Sequence, residues 1–513
     1  MNLPLLTILT LSPVVAGIVL LLLRTEQHTT RKFAIAFSFV PFALVAYLWR
    51  NFDNSSGTLQ FVEKQPWISN PLPVDYFLGI DGLGLLMVTL SAIVIPFAVI
   101  ATAHTQQNKL YYALMLFLQS GLLGTFTALN FFHWFIFWEL SLVPAFFLIK
   151  LWGGENRSAA AMQFFIYTMV GSIAMLVAFI GVFIATNTFD FIQLGELARN
   201  GQLAQMVTAK LGGLGLSTDA MLMLLFAGVF LGFAVKVPLI PFHTWLPLAY
   251  SEAPTTTSMV LTGVMSKMGV YGFIRVLLPI FPEQMRAVLT PLLWLAVATI
   301  VFSAYAAFAQ KDLKRVVAYS SINHLGYCLL GLFAVVKSSE ASLLNERAAA
   351  LNGVVLQMFN HGVTASALFC FVGFLEHRNH GARGITDFGG MRKVAPVLCG
   401  LMGIAMFSSL GLPGLNGFVG EFLIFKGAFS LSAWAASLAT LGLLATAIFL
   451  LTVIQKVFTG AVKENHAWVD LTVAERLTVA PMIALMFVLG IAPSLLLQVI
   501  NPTVTQMLAA VKF

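Results

Sequence analysis

Apolar runs of about 18–25 residues, separated by short polar stretches, follow one another along almost the whole chain. They cover residues 4–23, 33–49, 77–103, 110–131, 132–152, 160–186, 220–246, 257–280, 289–308, 314–336, 350–375, 396–427, 433–458 and 477–500. A helix needs about 20 apolar residues to cross the hydrocarbon core, so the pattern predicts an all-α polytopic membrane protein with about fourteen spans. The first run, "LPLLTILTLSPVVAGIVLLLL", is longer than a signal-peptide core and has no basic segment before it, so it reads as a retained helix.

Two of these runs are interrupted. The seventh contains "FLGFAVKVPLIPFHTWLPLAY", with Lys236 inside apolar sequence, Pro238 and Pro241 just beyond it, and His243. The twelfth contains "SSLGLPGLNGFVGEFLIFKG", with Pro413, glycines on both sides, Glu421 and Lys426. Broken backbone is tolerated at membrane depth only where it is buried in protein or lines water. Paired breaks five helices apart are a mark of inverted repeats. The expected organisation is therefore residues 1–109 for helices one to three and 110–280 for a first repeat (helices four to eight). Residues 281–458 form a second repeat (helices nine to thirteen), and 459–513 carry the last helix.

Composition supports the membrane reading and narrows what the chain does. Hydrophobic residues make up 59% and charged residues 10%, with mean hydropathy +0.90; soluble domains carry roughly 25% charged residues. The net charge of +7 is not a nucleic-acid signal, because basic residues in such a chain mark cytoplasmic loops. Lysines and arginines favour the loops after odd-numbered helices by roughly two to one, which places those loops in the cytoplasm and both termini outside. Cys328, Cys370 and Cys399 stand singly in apolar sequence, as small core residues do. No dinucleotide, phosphate-loop or haem-attachment motif is present, so no redox centre or nucleotide site is expected on this chain.

Six ionisable groups lie inside apolar runs: Glu139, Lys236, Lys267, His324, His361 and Glu421. Any one of them reads acceptably as a satisfied core residue or a side chain snorkelling from a helix end. The set reads differently. In order it runs acid, lysine, lysine, histidine, histidine, acid, on helices five, seven, eight, ten, eleven and twelve. Lysines beside acids release and recover protons, and histidines pass them on, so the set predicts a proton path. His243, Glu252, Asp312 and Lys426 are expected to support it. His377 and His380 in "EHRNHG" read as a solvated turn, and no metal site is expected.

The segments "FWELSLVP", "FAVKVPLIPFHTWLP", "LTGVMSKMGVYGFIR", "AQKDLKRVVAYSSINHLGY", "MFNHG" and "LPGLNGFVGEF" resemble the shared motifs of the antiporter-like subunits of respiratory complex I and the Mrp cation/proton antiporters. The likeness runs from about Asp81 to about Lys426. Within that family the chain is most similar to the M type (subunit 4 in organelles), whose twelfth helix carries a glutamate, as Glu421 does here, where relatives usually have lysine. The resemblance implies a proton-translocating subunit of an NADH:quinone oxidoreductase, driven by electron transfer in other subunits. It implies Glu139 and Lys236 as the acid–lysine pair of a first half-channel and Lys267 and His324 as a central axis. It makes His361 a link and Glu421 the end of a second half-channel.

The resemblance further implies FMN, iron–sulfur clusters and quinone in partner subunits, L-type and N-type neighbours, and a bacterial inner membrane. The chain departs from the family's "WLPDAHxEAP": it reads "WLPLAYSEAP", with Leu248 and Tyr250 in place of an acid and a histidine. Neither is expected to carry protons, which leaves Glu252 as the acid of that segment. Alternatives are a Mrp-type Na+/H+ antiporter subunit, a membrane subunit of a hydrogenase or ferredoxin-driven complex, or a passive assembly scaffold. A scaffold has no need of six ionisable groups in apolar helices.

Overall fold

Backbone N–H and C=O groups find no water inside a bilayer, so apolar runs of this length fold as helices that satisfy their own polar groups. The computed structural model describes residues 3–24, 26–70, 72–104, 107–463 and 468–511. Among these, 13 helices are long and apolar enough to cross a membrane. The remaining expected span is the broken twelfth, divided into two shorter pieces.

The amino-terminal part holds α1 (Leu5–Leu22), α2 (Gln27–Ser38), α3 (Val40–Asn51), an antiparallel hairpin of β1 (Gln60–Ile68) and β2 (Val74–Ile80), and α4 (Gly82–Ile100). α5 (Lys109–Thr127), α6 (Phe131–Trp152) and α7 (Arg157–Thr186) follow, then the short α8 (Phe191–Arg199) and α9 (Gln202–Leu211). α10 (Thr218–Lys236) and α11 (Trp245–Glu252) are the halves of the broken seventh helix. The eighth consists of α12 (Thr255–Val260), α13 (Lys267–Gly272) and α14 (Leu278–Ile280), joined by π-helical turns at Leu261–Met265 and Phe273–Leu277.

After α15 (Pro282–Ala287) come α16 (Leu289–Phe308), α17 (Leu313–Ala334) and the 35-residue α18 (Leu344–Arg378). α19 (Met391–Val394) precedes α20 (Pro396–Ser409) and α21 (Asn416–Leu431), the halves of the broken twelfth. α22 (Ala433–Phe458), α23 (Val473–Ile491) and α24 (Ser494–Ala510) complete the fold. The run expected as one helix over 477–500 is two: Ala492 precedes Pro493, which disfavours the helical conformation there, and the helix stops at Ile491.

Polar residues fix where the helices begin. Asp81, Asn108, Asn130, Asp190, Ser217 and Asp312 each accept a backbone N–H in the first turn of the helix that follows. α1 lacks such a residue of its own, and Glu63 of β1 supplies the acceptor, taking the N–H groups of Leu6 (2.7 Å) and Thr7 (3.1 Å). That contact docks the hairpin over the start of α1. The bundle is organised around α18, which packs on α4, α12, α17, α20, α21, α23 and α24. Gly353 allows the close approach of α21, since a Cβ there would lie 2.5 Å from the Ile424 amide.

One ion pair is buried outside the predicted set. Asp81, which caps α4, receives Arg275 of the second π turn at 2.6 and 2.7 Å, and both side chains are almost completely enclosed. Removing either partner leaves an uncompensated buried charge, worth about 3–5 kcal/mol, whereas replacing both by apolar groups is close to neutral. Asp81→Leu and Arg275→Met should each lower the amount of assembled subunit and its thermal midpoint. The double variant should recover most of the loss. A double variant that loses the sum of the two single losses would show that the pair itself contributes nothing.

Candidate functional site

The break in the seventh helix follows from its prolines: Pro238 and Pro241 cannot donate to the helix ladder, and α10 stops at Lys236. The freed groups find new partners. Trp245 of α11 donates its indole N–H to the Val235 carbonyl (3.0 Å), Leu239 N–H returns to Ala234 (2.8 Å), and Ile240 N–H donates to the Thr299 hydroxyl of α16 (3.1 Å). Lys236 is thereby held at the helix end, 2% exposed, its ammonium 5.0 Å from the centre of the Trp138 ring and without a hydrogen-bond partner among the described residues.

Glu139, the residue after Trp138, is half-buried, and no ion pair joins it to Lys236 among the described contacts. Trp138 itself is anchored by donating to the Ser172 hydroxyl of α7 at 3.0 Å. The expected acid and lysine therefore share a neighbourhood built on one tryptophan rather than a direct bond. His243 lies half-buried in the turn of the break.

The break in the twelfth helix is built around Pro413, with Gly411 and Gly414 in the left-handed region (φ +77° and +93°). Asn416 opens α21 and exchanges hydrogen bonds with Asn360 of α18: Asn360 donates to the Asn416 carbonyl (2.7 Å) and Asn416 donates to the Asn360 carbonyl (3.2 Å). These bonds anchor the second half-helix against α18 one position from His361. Lys236 ends the half before its break, whereas Glu421 lies in the half after.

Four of the six predicted groups form one continuous chain. The Lys267 ammonium, fully buried, is 2.8 Å from His361 Nδ1 and also donates to the Thr262 carbonyl. The His361 and His324 rings stand 5.1 Å apart between centres. His324 Nδ1 lies 3.0 Å from Glu421 Oε1, an ion-pair contact without hydrogen-bond alignment, while Nε2 bonds the Ser409 hydroxyl at 3.0 Å. Gln357 of α18 donates to the same Glu421 oxygen at 3.2 Å. Lys426 does not join this group: it is exposed, and five residues along a helix turn it well away from Glu421.

At one end of the bundle a cavity of about 570 Å³ reaches the ends of α11, α12, α17 and α18. Its wall carries charged residues that the sequence reading largely passed over. Lys314 pairs Glu376 (2.8 Å), and Arg383 contacts Asp312 (2.5 Å), Glu376 (3.2 Å) and Glu252 (3.7 Å). Burial disfavours the charged form of Arg383, but Asp312 and Glu376 outweigh it and raise its pKa above the usual value. Of the two acids expected to support the path, Glu252 lines this cavity and Asp312 contacts Arg383 of its wall. Gln357 and Ser409 were missed because neither carries charge. Gln357 lies four residues before His361 on the same helical face, which is the signal that could have found it.

Gly411 gives a local test. A Cβ there would meet Glu421 Oε2 at 2.7 Å, in a backbone conformation that side chains rarely adopt. Gly411→Ala should cost about 1–3 kcal/mol of stability and push the Glu421 carboxylate off His324. The thermal midpoint and the infrared carboxyl band assigned with Glu421→Gln report the two effects. No change in either would contradict the geometry.

Comparison with known proteins places the chain. Residues 128–449 match the family model described as "NADH:quinone oxidoreductase/Mrp antiporter, TM". The NADH-quinone oxidoreductase subunit M of Rickettsia bellii is 35% identical over 523 residues, covering 100% of both chains. The F(420)H(2) dehydrogenase subunit M of Methanosarcina mazei is also 35% identical, over 96% of this chain and 95% of that protein. A chain of respiratory complex I from Thermus thermophilus, solved with bound NADH, superposes with TM-score 0.84 at 28% identity, covering 99% of this chain and 100% of that one. The chain belongs to the transmembrane family shared by NADH:quinone oxidoreductases and Mrp antiporters.

Proposed function

We propose that this chain is the M-type, proton-translocating membrane subunit of an NADH:quinone oxidoreductase, and that its protons move along Lys267, His361, His324 and Glu421. The observation that carries the reading is the succession of titratable side chains through the core of the bundle, Lys267 on His361 and His324 on Glu421, with the two imidazole rings 5.1 Å apart between them. Two imidazolium rings about 5 Å apart repel by roughly 3 kcal/mol at an effective dielectric near 20. A proton passed from the Lys267 ammonium to His361 Nδ1 therefore displaces the proton held on His324, and the facing Glu421 carboxylate receives it. Ser409 and Gln357 hold the acceptor end in place. Each step leaves one group ready to be reloaded from behind.

Glu139 and Lys236 form the other element of the reading. Among the described residues the lysine has no hydrogen-bonding partner and the acid is only half-buried, so electron transfer elsewhere can bias their mutual charge. The charged cavity at Glu252, Lys314, Glu376 and Arg383 is assigned to the cytoplasmic side, as the loop charges imply, with both termini outside and the bacterial inner membrane as the location. L-type and N-type subunits are the expected neighbours, with FMN, iron–sulfur clusters and quinone carried elsewhere. The M. mazei relative, equally similar, is named for a different electron donor, so the donor is a property of the partner subunits.

Glu139→Ala and Lys236→Ala should leave the complex assembled but cut proton translocation in vesicles at least about tenfold, with coupled quinone reduction falling alongside. Normal pumping by both variants at normal assembly would remove the pair from the mechanism. Glu421→Gln should impair pumping more than Glu421→Asp, which keeps the titratable group but shortens its reach. Parent-like pumping by Glu421→Gln, at equal amounts of assembled complex, would mean that the twelfth helix does not end the path.

A further inference from the structure

The fold gives Tyr250 a specific partner. The tyrosine lies in α11, 1% exposed, and its phenol donates to the Leu261 carbonyl at 2.9 Å. The same carbonyl accepts the Ser266 N–H, five residues further on, at 3.2 Å. That bond closes the π turn Leu261–Met265. The Tyr250 carbonyl in turn accepts the Ser258 hydroxyl at 2.7 Å. One residue thus ties the second half of the broken seventh helix to the eighth helix at two points, before and at the π turn.

The residue after Ser266 is Lys267, whose ammonium turns back to the Thr262 carbonyl inside that turn and reaches His361 at 2.8 Å. A π turn holds one residue more than an α turn. Its reversion to α geometry would rotate everything beyond it by about 100° relative to what precedes it. Lys267 would then leave His361. A carbonyl splayed out of the α ladder is held there by a donor from outside the helix, and the Tyr250 hydroxyl supplies one. Tyrosine suits this role, because its hydroxyl gives one directed hydrogen bond without changing charge.

We propose that Tyr250 is a positioning residue for proton transfer: its hydroxyl maintains the π turn that sets Lys267 on His361, and so couples the break of the seventh helix to the central chain. The inference rests on the proton path proposed above. It differs from a packing role in what each substitution does. Tyr250→Phe keeps the ring and removes only the donor, and Tyr250→His changes the ring but restores a donor.

The experiment compares Tyr250→Phe, Tyr250→His and Lys267→Ala with the parent in vesicles containing equal amounts of assembled complex, following proton translocation and quinone reduction across pH. Loss of one buried hydrogen bond predicts about fivefold slower translocation for Tyr250→Phe, with its pH profile displaced. Tyr250→His should return to within about twofold of the parent. The inference is overturned if Tyr250→Phe keeps the parent's rate and pH profile, or if the two tyrosine variants are equally impaired, as simple packing would give. Should Lys267→Ala pump normally, the path itself fails and this inference with it. Should Lys267→Ala be inactive while Tyr250→Phe is normal, only the inference fails.

Discussion

A charge placed at the middle of a lipid-facing helix costs about 3 kcal/mol, and an unsatisfied backbone group adds to that, so a bundle that carries both must resolve them inside itself. The rest of this structure depends on that constraint. The helix breaks at 237–244 and 410–415 free backbone polar groups: an indole and a hydroxyl take them up in the first, and in the second the N–H groups of Gly411, Leu412 and Leu415 return to carbonyls of the same broken helix. Lys236 and Glu421 lie on the broken helices, Lys267, His324 and His361 on the helices packed with them, and in the central chain these side chains satisfy one another. Lys267 has His361, and Glu421 has His324 and Gln357. Groups that can each take or give a proton, arranged as mutual partners, form a solvated interior made of side chains.

The same constraint explains why α18 is the longest helix and lies at the centre. Glu376 near its end belongs to the charged cavity, His361 stands fifteen residues earlier in the chain of contacts, and Gln357 lies one turn further. At about 1.5 Å per residue, one rigid element spans roughly 22 Å from the cavity to the middle of the path. Interhelical contacts at Gly353 bring α21, and with it Glu421, against this helix. Lys236 is the exception. It rests on the face of Trp138 and has no hydrogen-bond partner among the described residues.

Much of this was legible in the sequence. The apolar runs gave the spans, the prolines gave both breaks, and the six intramembrane charges were visible because charge in such a run is costly and therefore informative. Other features were not. The hairpin at Gln60–Ile68 alternates poorly and contains Pro66, so its strand signal is weak. The π turns around Lys267 leave no mark in composition. Lys426 looked like a partner of Glu421 because it is near in sequence, but positions five apart on a helix do not face each other. Gln357, Ser409 and the Asp81–Arg275 pair depend on which helices touch, and periodicity along one chain does not carry that information. The charged cavity was half-visible: Asp312 and Glu252 stood out, and their partner Arg383 comes from a loop far away in sequence.

The central claim is that protons cross through the contact between Lys267 and the histidines. The most direct measurement is the number of protons translocated per quinone reduced in sealed vesicles holding the assembled complex with Lys267→Met, a substitution of similar length without the charge. The account predicts a stoichiometry clearly below the parent's, with assembly and the electron-transfer cofactors intact. The parent's stoichiometry, measured at the same amount of assembled complex, would contradict it.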